Sequence, residues 1–305
     1  MRLLPFFALL AGCPADEPAP VDETPEAPAP YIFEEDAPPV ADLDVGELEA
    51  AIDAAVDLAL TLNATPIFPA YQAAMAGSES ACPSYYEADG NVYWYDQCTA
   101  GTGASFSGYS FYTVYENADF GDGALYNGQA VSGVAEVVTA DGHTFQSGGS
   151  AYILSSATET YTAYTSMIAG AFAWDGPEAE GTWLAEGVSP DVTMVAYNTA
   201  YGNFMQLDGG LSGLGGALDT VVFDTVVIYE EALGSTCPTE PGGVVSVRDA
   251  SGSWYDVVFD GPAAFDAESD PSLCDGCGEA YFRGEPLGSV CADFTTLLAF
   301  EGAPW

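Results

Sequence analysis

The stretch AVSGVAEVVTADGHTFQSGGSAYILS, residues 130–155, decides how the chain is read. Two runs rich in β-branched and aromatic residues, Ala130 to Thr139 and Thr144 to Ser155, flank Asp141-Gly142. Asp-Gly between such runs is a hairpin signal, because a type I′ turn needs positive φ at both central residues. Working outward, runs of the same texture occur at Asn91 to Cys98, Ser105 to Tyr115, Thr158 to Trp174, Val192 to Tyr201 and Thr220 to Tyr229. Further Asp-Gly pairs punctuate them at Asp89, Asp122, Asp175, Asp208 and Asp260. Many short strands between turn signals predict an all-β domain: a large antiparallel sheet or sandwich. The spacing of Asp89 to Asp122 is 33 residues, and Asp141, Asp175 and Asp208 follow at 34 and 33. The intervening sequences do not align, so a meander is favoured over a β-solenoid.

The C-terminal part, residues 236–305, reads as two more hairpins. One joins Val244 to Val247 with Trp254 to Phe259 around Ala250-Ser251-Gly252. The other joins Ala280 to Arg283 with Ser289 to Phe294 around Glu285-Pro286-Leu287-Gly288. This part is either a stapled subdomain or the end of the same sheet, with the latter favoured.

Ahead of the strands one helix is clear. Asp44 and Glu47 have capping-box spacing, and Val45, Leu48, Ile52, Val56 and Ala59 recur at helical intervals. A shorter helical stretch is expected around Ala70 to Ala76. Between Pro14 and Asp42 lie 8 prolines and 9 acids with no Gly or Ser. Such a segment, 13–42 with its leading cysteine, is a semi-stiff, self-repelling spacer able to reach about 90 Å when extended at about 3.1 Å per residue. The folded domain is then expected over 43–305.

The chain opens Met1-Arg2, runs apolar from Leu3 to Leu10, and continues Ala11-Gly12-Cys13. A basic start, a short apolar run and small residues before a cleavage point make a secretion signal over residues 1–12. It is too short to span a bilayer, which needs about 20 apolar residues. Leu10-Ala11-Gly12-Cys13 resembles the lipobox of bacterial lipoprotein precursors. The resemblance covers only these residues and says nothing about the folded domain. It implies that Cys13 is acylated, becomes the first residue of the mature protein, and tethers the chain in the cell envelope, facing periplasm or exterior.

Composition agrees with export. With Cys13 set aside, Cys82, Cys98, Cys237, Cys274, Cys277 and Cys291 form an even set, expected as disulfides. Proximity favours Cys82–Cys98, then Cys277–Cys291 across a hairpin and Cys237–Cys274, with other pairings of the last four open. Cys274-Asp-Gly-Cys277 also fits a zinc site with Cys237 and Cys291, or a redox pair. An oxidising compartment opposes the first and acidic surroundings oppose the second.

The chain carries 46 acids against Arg2, Arg248 and Arg283, no lysine, and a formal charge of −43. Such a surface repels nucleic acid and anionic headgroups, so neither is expected as a partner through a basic patch. The 18 Tyr, 16 Phe and 5 Trp argue for a real core rather than acidic disorder.

Site chemistry is thinner. His143 is the single histidine and sits beside a turn, with no Gly-x-Ser-x-Gly elbow to pair with it. The run Asn117-Ala-Asp119-Phe-Gly-Asp122-Gly offers oxygen ligands at close spacing and is a candidate calcium loop. Asp266, Glu268 and Asp270, with Asp275, form a second acidic cluster. Trp94, Tyr95, Tyr109, Tyr112 and Trp183 are candidates for stacking on sugars.

The expected function is a lipid-anchored envelope protein with a structural or adhesive, non-enzymatic β domain. The alternatives are a carbohydrate- or calcium-dependent binding module and a carboxylate-based hydrolase. A membrane-spanning barrel is disfavoured, because Glu301-Gly-Ala-Pro304 does not alternate as a terminal strand. An aromatic platform on an exposed face would favour sugar binding. A cleft with two carboxylates about 5 to 10 Å apart would favour the hydrolase.

Overall fold

A computed structural model describes residues 43–88, 91–186, 190–200, 202–214, 218–232, 240–261 and 275–300. The secretion signal, Cys13, the spacer, Asp89-Gly90, the pair Cys237–Cys274, and Asp266, Glu268 and Asp270 lie outside the described residues.

The domain is all-β with two N-terminal helices. Helix α1 (Val45–Thr61) starts where expected: Asp44 accepts from the Glu47 N–H at 3.0 Å, and Glu47 accepts from the Asp44 N–H at 3.1 Å. Its apolar stripe, Leu48, Ile52, Val56 and Ala59, is buried. Each of the larger side chains contributes about 1.5–3 kcal/mol by leaving water. Helix α2 (Ile67–Met75) begins earlier than expected, because Ile67 and Phe68 extend the buried face ahead of Ala70.

Among the described residues thirteen antiparallel strands follow in one sheet whose spatial order is their chain order. They are β1 (Tyr85–Ala88), β2 (Asn91–Thr99), β3 (Ser105–Asp119), β4 (Leu125–Val138), β5 (Thr144–Ala157), β6 (Tyr161–Trp174) and β7 (Asp191–Thr199). Then come β8 (Gly202–Ser212), β9 (Leu218–Ala232), β10 (Gly242–Asp249), β11 (Trp254–Asp260), β12 (Gly278–Phe282) and β13 (Glu285–Val290). The arrangement is a single meander, and β10 pairs directly with β9, so the C-terminal hairpins continue the same sheet.

Helix α1 meets β9, β10 and β13, while α2 meets β4 and β5, so the sheet bends over the two helices. One apolar cluster unites the buried helix stripes with the inward side chains, from Trp94 on β2 to Val290 on β13. Polar anchors fix the helices against the sheet. The Trp183 indole donates to Asn63 O at 2.9 Å, Ser166 Oγ accepts from Ala64 N at 2.8 Å, and Tyr255 Oη accepts from Leu43 N at 3.2 Å.

The curvature has a local cause. Gly133, Gly149 and Gly170 pair in one inward row across β4, β5 and β6. A Cβ at Gly149 would lie 2.0 Å from Ala169 O, and one at Gly170 would lie 2.4 Å from Gly148 O. Glycine in a strand marks close backbone approach and sharp bending.

Two disulfides staple the sheet ends: Cys82–Cys98 ties the lead-in to β1 onto β2, and Cys277–Cys291 closes the β12–β13 hairpin. Several turn expectations need correction. Asp122 and Asp141 do sit in hairpin turns, but Asp208-Gly209 lies inside β8 at a bulge. There Asp208 Oδ1 accepts from Thr225 N at 2.8 Å, where β9 also bulges with Thr225 at φ 51°. Asp175 ends β6 and accepts from Thr144 N at 2.6 Å instead of opening a hairpin. The last hairpin turns at Arg283-Gly284, with φ of 52° and 78°, so Glu285 to Gly288 are strand. Two left-handed residues suit a tight turn better than a segment containing Pro286.

Candidate functional site: the outer face of the sheet

Strand alternation sends Trp94, Phe106 and Val137 inward and leaves a second set facing solvent. On β1 to β3, Tyr86 pairs with Tyr93 and Tyr93 with Phe111. Their rings stack at 5.1 and 5.4 Å. The next row runs Tyr95, Tyr109, Val134, Gly148, Ala171 by strand pairing. Tyr95 is 75% exposed, Tyr109 51% and Val134 57%. The row after that runs Gln97, Ser107, Glu136, Gln146, Ala173.

Small residues on β5 and β6 stand beside the larger Val134, which leaves a shallow, open groove of about 520 Å³. Gly108, Val134, Glu136, Gln146, Gly148 and Ala171 line it. Gln146 Nε2 donates to Glu136 Oε2 at 2.9 Å, so the groove holds a joined carboxylate and carboxamide. In these three rows Glu136 is the one charged side chain, on a chain of formal charge −43. A contiguous, aromatic-edged face with a single carboxylate on so acidic a surface is a recognition feature in its own right.

The candidate sugar-stacking residues divide by face. Tyr95 and Tyr109 belong to the outer platform. Trp94 is buried and donates to Tyr71 Oη at 3.1 Å, and Trp183 is buried beside the α1–α2 connection, where it bonds Asn63 O. Tyr112 packs against the inner core, donating to Gln129 Oε1 at 2.8 Å and accepting from Gln72 Nε2 at 2.9 Å. Burial pushes the Tyr71 hydroxyl up from its usual range. Tyr86, Tyr93 and Phe111 were not singled out from sequence; their shared parity with Tyr95 and Tyr109 was the available signal.

The other candidates are held apart from this face. His143 follows the β4–β5 turn, with Nδ1 3.5 Å from Asp175 Oδ1 and its ring 5.8 Å from that of Trp174. In the β3–β4 connection the acidic side chains brace their own loop. Asp119 Oδ1 accepts from Gly121 N at 2.7 Å, and Asp122 Oδ1 accepts from Ala124 N at 3.0 Å. The Tyr126 hydroxyl donates to Asp122 Oδ2 at 2.5 Å and holds that carboxyl below the usual range. The Asn117 main-chain N–H donates to Asn127 Oδ1 at 2.9 Å. Among the described residues no group of three or more His, Cys, Asp and Glu is gathered as a metal site.

A separate carboxylate group lies at the far end of the sheet. Glu240 is buried, and both its oxygens face the Gly276 N–H, at 2.9 and 3.2 Å. Burial raises its pKa against that hydrogen bond, and the like charges of Asp260 and Asp275 add to the rise. Burial and Asp275 raise Asp260 in the same way.

No known protein family, curated protein or solved structure matches the chain.

Proposed function

We propose that this chain is an exported lipoprotein, tethered to the cell envelope through acylated Cys13, whose β domain is a non-enzymatic adhesive module. The contact surface is the outer face of β1 to β6. The observation that carries the reading is the aromatic-edged sheet face around Tyr95 and Tyr109, with Glu136 as its one carboxylate, on a chain with 46 acids. Tyrosine presents large, rigid contact area at little conformational cost, which suits it to adhesive faces. The groove contains one carboxylate, Glu136, whereas carboxylate-based glycoside hydrolysis uses two. That supports adhesion over hydrolysis.

The test compares cells producing the wild-type chain, Cys13→Ser, and the double variant Tyr95→Ala/Tyr109→Ala. Cys13→Ser moves the protein from the membrane to the soluble fraction and removes the acyl mass. The tyrosine variant stays in the membrane fraction and lowers adhesion several-fold. Membrane retention without Cys13 overturns the anchor, and unchanged adhesion without the tyrosines overturns the adhesive face.

A further inference from the structure

We infer that the ligand of this outer face is an uncharged polysaccharide, seated with its sugar rings against Tyr95 and Tyr109 and its hydroxyls on the Glu136–Gln146 pair. The inference rests on the adhesive reading above and specifies what is bound.

Three observations select this ligand class. The first is charge. With 46 acids and three arginines, the molecule repels uronic or sulfated chains over the range of its field. The face itself is nearly free of charge, so an uncharged chain approaches it without that penalty.

The second is the pairing of surface types. A pyranose ring has an apolar C–H face and a rim of hydroxyls. Tyr95 and Tyr109, paired on adjacent strands and exposed, supply apolar ring surface for the C–H face. One row away, Gln146 donates to Glu136 Oε2, which leaves Glu136 Oε1, Gln146 Oε1 and a second carboxamide N–H for hydroxyls. Hydrogen bonds from hydroxyls to an ionised carboxylate are short and roughly twice as strong as neutral ones.

The third is shape. On β5 and β6 the floor of the groove is Gly148 and Ala171, small residues beside the taller Val134. It stays open along the sheet, so an extended chain can lie through it without its ends being enclosed. A tight protein partner would instead be expected to anchor a bulky aromatic or Arg in a deep, enclosed pocket.

The test uses the full chain carrying Cys13→Ser, prepared without acylation. Affinity electrophoresis is run through gels containing β-1,3-glucan, β-1,4-glucan, xylan or mannan, with alginate as the acidic contrast. At least one neutral polymer is expected to retard the protein, and alginate is not. Tyr95→Ala/Tyr109→Ala and, separately, Glu136→Ala/Gln146→Ala are each expected to weaken retardation at least tenfold. Their near-ultraviolet circular dichroism stays folded, and Phe120→Ala, an exposed aromatic in the β3–β4 connection, leaves binding intact.

The inference is overturned if none of the neutral polymers retards the chain, or if both double variants migrate as wild type. It also falls if phosphatidylcholine vesicles, and not polysaccharide, retain the protein in a tyrosine-dependent way. Tyrosine-dependent cell adhesion without polysaccharide retardation removes this ligand class and leaves the adhesive reading standing. Adhesion independent of the tyrosines removes both.

Discussion

At Gly149 a single added methyl group would sit 2.0 Å from the carbonyl oxygen of Ala169, a main-chain atom that cannot swing aside. Gly149→Ala is therefore expected to lower unfolding free energy by about 1–3 kcal/mol, as overpacking does where backbone must shift. Urea denaturation at constant m-value measures it, and an unchanged midpoint would remove Gly149 as a source of the bend. The outward Gly148 on the same strand makes the comparison: a Cβ there comes no nearer than 4.0 Å, to Ala171 O, so Ala is expected to be far milder. Residue identity alone did not separate these two neighbours. Nor did it separate Trp94 from Tyr95, both aromatic and adjacent, one in the core and one 75% exposed. Strand parity says that they face opposite ways, but only packing of α2 against the sheet says which way is in.

Elements were more legible where short-range chemistry sets their ends. The capping box of α1 involves groups three residues apart, so Asp44 and Glu47 announce it directly. Asp44→Ala is expected to cost about 1 kcal/mol, read as a lower thermal midpoint with the fold retained. Cys82–Cys98 encloses a separation of 16 residues, and Cys82→Ala/Cys98→Ala is expected to lose about 3 kcal/mol, mainly by freeing the unfolded chain. The same urea titration measures that loss; a change under 1 kcal/mol would mean that the helices hold the β1 edge by themselves.

Turn reading failed where the same dipeptide serves another geometry. Asp208-Gly209 has the hairpin signature, yet Asp208 holds the Thr225 N–H of the neighbouring strand and Gly209 takes φ 105° at a bulge. The partner strand lies seventeen residues away in sequence, beyond the window in which a dipeptide is informative. For the same reason β8 was not foreseen as a strand, since its Gly-rich sequence relies on β7 and β9 on either side.

For the whole molecule, the acid excess and the carboxylates of Glu240 and Asp260 act together on pH dependence. Glu240 and Asp260 have folded-state pKa values above the ordinary range. Their contribution to stability is fully present below the unfolded-state values and is lost as pH rises through the folded ones. Asp96 and Asp122 are shifted the other way, Asp96 by the Ser84 N–H and Asp122 by the Tyr126 hydroxyl. Their contribution is present above the unfolded values and is lost as pH falls through the folded ones. Relief of self-repulsion on the −43 chain adds to the first trend. The thermal midpoint is expected to rise on acidification from pH 7, peak between about pH 4 and 6, and fall below that. Glu240→Gln should flatten the rise, and a midpoint that falls steadily from pH 7 would contradict the assignment.

Some properties of this protein are local and additive, and the sequence by itself determined them: the acidity, the strand texture and the helix cap. Each depends on composition or on residues a few positions apart. The tertiary structure alone decided that the strands form one meandering sheet bent over two helices, and which face of that sheet is buried. The physical reason is that inner and outer faces alternate residue by residue, and only the docking of α1 and α2 breaks the tie. That choice sends Trp94 into the core and leaves Tyr95, Tyr109 and Glu136 together on the open face.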